Sequence, residues 1–182
     1  MKRSLVIYTS RRGSTKQYAE WIAEELGSDI VTFEESKKMD LRQYDLVIYG
    51  GWIRGSGIVN FDVFKKRLTR DILDKMIVFG VGIANESVGN YQQVYDINYK
   101  KISRDGGKNP TLYILSGAYD PDKIDGMDKM LMAVMKKVLI SGSTADASAE
   151  ARTMRDRIEN GVDLVKRENI NTLVKEAKKF LA

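Results

Sequence analysis

The stretch Ser4-Leu5-Val6-Ile7-Tyr8-Thr9-Ser10-Arg11-Arg12-Gly13-Ser14-Thr15 joins an apolar run to a hydroxyl-rich turn, and the turn opens into an amphipathic segment over residues 16–26. A strand of this kind brings the chain to a sheet edge, and the helix that follows points its unpaired N–H groups at whatever lies above it. Hydroxyls at Ser10, Ser14 and Thr15 are candidate donors to a phosphate oxygen, and Gly13 lets the backbone come close. Arg11 and Arg12 add cations beside them. A second reading needs no ligand: Ser14-Thr15-Lys16-Gln17 fits a capping box, which uses the same orphan donors.

Outward from this loop, strand-like apolar runs recur at residues 5–9, 30–33, 45–49, 76–82 and 111–115, with helical patterns between most of them. Tyr18, Ile22 and Leu26 share one face with Ala19 and Ala23 beside it; Phe61, Phe64, Leu68 and Ile72 form a second; Ile170, Leu173, Val174, Ala177, Phe180 and Leu181 form a third near the end. Strands apolar throughout and alternating with helices indicate an α/β fold whose parallel sheet is covered on both faces. In an open doubly wound sheet, ligands bind outside the carboxyl ends of the strands. Three loops are expected there: residues 9–15, the glycine-dense residues 50–59 with Gly51, Trp52, Ile53, Arg54 and Gly55, and residues 83–95 with Tyr91 and Tyr95. A flat aromatic ligand beside the phosphate seat needs such flanks. Trp52 also fits a plain hydrophobic plug over the sheet edge, and Arg54 is either a solvated charge or a cation near the ligand.

Other phosphate motifs are excluded by spacing. Gly-x-x-x-x-Gly-Lys-Ser/Thr is absent, and Gly80-Val81-Gly82-Ile83-Ala84-Asn85 lacks the third glycine of a dinucleotide fingerprint and lies mid-chain. Cysteine and histidine both count zero in the 182 residues, so disulfides, thiolate nucleophiles, Cys/His zinc sites and histidine acid/base catalysis fall away together. Demanding chemistry must then come from a cofactor, and a phosphate-bearing redox cofactor fills that gap. No catalytic residue and no metal ligand is nominated.

The 43% hydrophobic content suits one globular domain over residues 1–182. No run of about 18 apolar residues and no leader pattern is seen, so the expectation is a soluble, cytoplasmic chain. Thirty Lys+Arg against 25 Asp+Glu give +5, interspersed and without a zinc-finger or aromatic RNA-binding signature, and nucleic acid is not expected as a partner. Asn85-Glu86-Ser87 matches a glycosylation triplet that has no role in such a compartment.

Residues 118–160 are too long for a plain connection and are expected to hold two helices, over 125–140 and 147–160, the second ended by Gly161. Residues 162–166 then resume the last strand. In the first helix Met127, Met130, Leu131, Val134 and Val138 gather on one side, and Asp125, Asp128, Lys129, Lys136 and Lys137 on the other. This stripe suits packing on the domain, a dimer or partner interface, or shallow membrane or quinone contact.

The chain resembles the flavodoxin-like family, whose phosphate loop Ser/Thr-x-Thr-Gly-x-Thr is matched at Ser10, Gly13 and Thr15, with Arg12 where the family usually has threonine. Within it the chain is most similar to the branch containing menaquinone-dependent protoporphyrinogen oxidase. That similarity rests on Tyr44-Asp-Leu-Val-Ile-Tyr-Gly-Gly-Trp-Ile-Arg54, Phe64-Lys-Lys-Arg-Leu68, Ser116-Gly-Ala118 and the methionine-rich segment up to Ser141-Gly142. Trp52 replaces a small residue of that branch and is similar to the tryptophan that carrier flavodoxins stack on the flavin. The resemblance implies a flavodoxin-like, doubly wound five-stranded parallel sheet in the order 2-1-3-4-5, with the helical insertion near its last strand. It implies FMN, with the phosphate on Ser10, Arg11, Arg12, Gly13, Ser14 and Thr15. The ring is then expected between Gly51, Trp52, Ile53, Arg54 and Gly55 on one side and Asn85 and Tyr91 on the other. Electrons would pass to or from a quinone or a redox protein, in an FMN-dependent oxidoreductase or in a carrier without a substrate of its own.

Overall fold

Alternate residues of the central strands enter two different cores, which is why those strands read as apolar throughout. In the computed structural model, which describes residues 2–84, 88–100, 102, 108–124, 126–141 and 149–182, these strands are β1 (Ser4–Thr9), β3 (Leu46–Arg54) and β5 (Met76–Gly82). Val6, Leu46, Ile48, Ile77 and Phe79 pack with Tyr18, Ala19 and Ile22 of α1 (Ser14–Leu26) and with Leu173, Val174 and Ala177 of α8 (Asn171–Leu181). Leu5, Ile7, Val47, Tyr49, Met76 and Val78 face the other way, onto Phe33, Phe61, Phe64, Ile72, Val94 and Tyr99. With β2 (Asp29–Thr32) and β6 (Thr111–Ser116) the parallel sheet runs β2-β1-β3-β5-β6, the expected 2-1-3-4-5 order once the small β4 (Gly57–Ile58), paired to the end of β3, is set aside. Strand order reverses between β1 and β3, so the ligand crevice lies above their carboxyl ends.

Four local expectations are corrected. Residues 50–59 are not a loop: β3 continues to Arg54 and returns antiparallel as β4, with Ile53 opposite Ile58 and Arg54 opposite Gly57. Gly55 and Ser56 turn it at φ 53° and 66°, the paired positive angles that match strand twist in a tight hairpin. Residues 83–95 are not a loop either, because α5 (Val88–Tyr99) occupies most of them. The Phe61–Ile72 periodicity does not make one helix. Chain direction changes at Leu68 and Thr69, both extended, between α3 (Phe61–Phe64) and α4 (Arg70–Leu73), although Phe61, Phe64 and Ile72 are buried as expected. The Arg67 guanidinium donates to the Ser36 and Met39 carbonyls beside α2 (Phe33–Ser36), and this tertiary demand overrides the helical period. Phe33, expected in the second strand, instead opens α2, because Thr32 and Glu35 form a reciprocal capping box there.

The insertion has its two helices, α6 (Gly126–Ser141) and α7 (Ala149–Asn160). Residues 162–166 do not resume the main sheet. Ala118–Tyr119 (β7) and Val162–Asp163 (β8) pair antiparallel in a sheet of their own, since the returning chain meets the outgoing one head-on. That clamp closes the base of the insertion beside the end of β6. No helix among the described residues is long and apolar enough to cross a membrane.

Candidate functional site

The first helix begins without a side-chain cap. Gly13 is its N-cap at φ 101°, no side chain caps the helix, and Ser14 lies inside it, so the capping box at residues 14–17, the alternative to a phosphate seat, is absent. The hydroxyl that serves this turn comes from the other direction: Ser10 Oγ accepts from the Gly13 N–H at 3.2 Å. Orphan donors at the start of a 13-residue helix, with Ser14 beside them, make an anion seat with a fixed loop conformation.

Above the seat lies a cavity of about 130 Å³ lined by Ser10, Arg11, Arg12, Ser14 and Thr15 from the loop and by Trp52, Ile53 and Arg54 from the hairpin. The sequence named these eight, and the structure brings all of them to one place. Gly13, Gly51 and Gly55 belong to the supporting backbone. Gly13 caps the helix and Gly55 makes the hairpin turn. A Cβ on Gly51 would come within 2.8 Å of Ile58 Cγ2 and 2.9 Å of the Val59 carbonyl, so glycine there lets β3 and the returning strand approach.

Tyr91 lies elsewhere. On α5 its ring stacks on Tyr95, 6.1 Å between centroids, and its hydroxyl faces the Leu112 carbonyl at 3.5 Å, near the start of β6. The cavity opens at the other end of that strand, roughly 13 Å away at the usual rise per residue. The helix carries the tyrosines off because it runs back along the sheet instead of lingering at its edge. Asn85 lies outside the described residues.

The remaining wall comes from Val81, Gly82 and Ile83 at the end of β5, Gly117, Ala118 and Tyr119 after β6, and Asp128, Leu131 and Met132 of α6. The α6 residues are spaced i, i+3, i+4 and so share one face. That face differs from the expected one: Asp128, assigned to the polar side, is 7% exposed, whereas Met130 and Val134 of the apolar stripe are 63% and 54% exposed. Asp128 turns inward because three guanidiniums meet it. Its carboxylate lies 2.7 Å from Arg11 Nη1, 3.2 Å from Arg12 Nη2 and 3.4 Å from Arg54 Nε. The spacing in the sequence does not decide this, since an acidic residue four before Met132 and three before Leu131 fits a buried face as well as a solvated one.

Tyr119, 9% exposed, has its phenol pushed upward by burial, with Arg12 pulling the other way and Asp120 adding to the rise. It stays neutral near pH 7 and offers an apolar ring with a polar tip. Cations, hydroxyls and helix N–H groups at one end, with Trp52, Ile53, Tyr119, Leu131 and Met132 around the other, suit a ligand with a phosphate and a flat apolar ring. FMN has both parts.

The chain is similar to known proteins. Residues 5–146 match the flavodoxin domain model. A flavodoxin from Nostoc sp. is 27% identical over 174 residues, covering 92% of this chain and 97% of that flavodoxin. One from Haemophilus influenzae is 32% identical over 84 residues, 42% of this chain and 48% of its own length. Among solved structures, oxidised flavodoxin 2 from Bacillus cereus aligns with a TM-score of 0.42 at 21% identity, over 74% of this chain and 99% of that one. With 142 residues matched by the family model and the sheet order in agreement, the chain belongs to the flavodoxin family, whose cofactor is FMN.

Proposed function

We propose that this protein is an FMN-dependent electron-transfer protein whose phosphate seat is the 10–15 loop and whose ring site is the Trp52–Arg54 arm of the hairpin. The observation that carries the reading is the uncapped start of α1 facing Ser10, Ser14 and the Arg11 and Arg12 side chains, below an apolar wall. The α1 N–H groups and the Ser10, Ser14 and Thr15 hydroxyls would hold the phosphate, and Arg11 and Arg12 would offset its charge. Gly13, Gly51 and Gly55 give the backbone its close approaches, while Trp52 and Ile53 would flank the ring. Bound FMN supplies reversible electron transfer, and the protein supplies orientation and electrostatics. The proposal treats residues 1–182 as one cytoplasmic domain with 118–160 as its insertion.

The test is the visible spectrum of the purified protein, followed by release and identification of any yellow cofactor. A colourless preparation that FMN cannot reconstitute overturns the assignment.

A second reading has the same flavin taking electrons from an organic donor and passing them to a quinone, as a protoporphyrinogen-oxidase-type enzyme. What favours it is α6, with Met130 and Val134 exposed between the exposed Lys129, Lys136 and Lys137, a surface suited to an apolar acceptor or an anionic membrane face. Turnover of protoporphyrinogen with a menaquinone analogue separates this enzyme from a carrier that serves a protein partner. Liposome co-sedimentation, unchanged on replacing Met130 and Val134 by serine, would remove the membrane contact.

A further inference from the structure

Asp128 makes charge-assisted contacts with both arginines of the phosphate loop and with Arg54 of the hairpin, and its side chain is only 10% exposed. To a guanidinium, a carboxylate and a phosphate present the same kind of acceptor oxygens. Asp128 shares a helical face with Leu131 and Met132, which roof the cavity. Beneath that roof lie about 130 Å³. α6 cannot leave this position without breaking the Asp128 pairs. The other ion pair from α6 among the described residues, Lys136 to Glu159, stays inside the insertion because Glu159 belongs to α7.

We propose that Asp128 is an affinity-determining residue for the phosphate-bearing cofactor: its carboxylate competes with phosphate for Arg11, Arg12 and Arg54, so phosphate binding releases α6 from the loop. The inference rests on the 10–15 loop being the phosphate seat, and it extends that reading to a helix remote in sequence. It also gives the insertion a role in selectivity. A flavin without phosphate gains nothing from the three guanidiniums and leaves Asp128 in place.

The experiment uses the full-length chain, its Asp128→Asn and Asp128→Glu variants, and three probes: FMN, riboflavin and inorganic phosphate. Asp128→Asn should bind FMN about tenfold more tightly while riboflavin affinity is unchanged, because only the phosphate meets the freed guanidiniums. Asp128→Glu should restore the original ratio. Amide hydrogen exchange over residues 126–141 gives a readout independent of flavin. Inorganic phosphate should speed exchange in the wild-type chain and leave Asp128→Asn, already fast, unaltered. An unchanged or reduced FMN-to-riboflavin preference in Asp128→Asn overturns the proposal, as does phosphate slowing exchange or leaving it unaffected in the wild-type chain. The wild-type exchange measurement decides the matter even if a variant does not fold. Should neither protein bind FMN while phosphate still loosens α6 in the wild type alone, the FMN reading falls and competition by Asp128 stands.

Discussion

The Tyr18 hydroxyl donates to the Ser116 carbonyl at 2.7 Å and meets the Asn169 side-chain amide at 2.6 Å, tying α1 to the end of β6 and to the turn that leads into α8. The ring is fully buried, while Ser116 and Asn169 are partly exposed. Tyr18→Phe keeps the packing and removes the oxygen. It should cost about 0.5–1.5 kcal/mol, the net worth of an intramolecular hydrogen bond whose partners are partly exposed. Urea unfolding should show a lower midpoint at unchanged slope.

Gly50 lies beside Phe79 in the β3–β5 register, and a Cβ on it would sit 2.0 Å from Phe79 Cζ. The glycine is there because the phenyl ring covers the backbone. Gly50→Ala should therefore destabilise by about 1–3 kcal/mol or more through overpacking. Combining it with Phe79→Leu should cost less than the sum of the two single changes, since the leucine removes the obstructing ring. A thermal double-mutant cycle measures that coupling.

The sheet was legible because its signal is local: Leu5 to Ile7, Leu46 to Tyr49 and Met76 to Val81 are apolar on both faces, and burial on both faces is what their positions demand. The phosphate loop was legible for the same reason, its hydroxyls and glycine lying within six residues of one another. The hairpin was misread as a loop because Gly50 and Gly51 look like turn residues. In the strand they serve close packing against Phe79 and Ile58. Asp128 was misplaced because a charged residue on an amphipathic helix is assigned to solvent unless its partners are known, and those partners lie more than 70 residues away in sequence. Long-range charge pairing leaves no periodic trace.

Acid should weaken the turn before β3. Asp40 accepts from Arg42 Nε and Nη2, both at 2.9 Å, and from its backbone N–H at 3.0 Å. These bonds, the side-chain pair foremost, hold its carboxyl down to about 2 from an ordinary 3.8. A folded value below the unfolded one means that the contribution is complete above pH 3.8 and is lost as the pH falls through about 2. Both partners are more than half exposed, so the effect is small. Stability curves of the wild type and Asp40→Asn should differ near neutral pH and converge at the acid end.

Arg54 should set the potential of bound FMN. The side chain stands on the hairpin next to Trp52 and Ile53, lines the cavity, and has Asp128 at 3.4 Å from its Nε. Reduction adds negative charge to the ring, which a nearby cation favours. Arg54→Ala removes that cation, so the potential should fall. A shift on the order of 30 mV in a two-electron couple corresponds to a tenfold change in equilibrium constant. Arg54→Lys should recover most of it, because charge and not fork geometry is what the ring senses at a distance. Added salt should shrink the difference between variants, as Arg54 is 35% exposed and screening reaches it. Potentiometry on the three proteins decides the matter. A potential indifferent to Arg54→Ala would mean that the ring lies away from the hairpin, leaving Trp52 as a packing residue over the sheet edge.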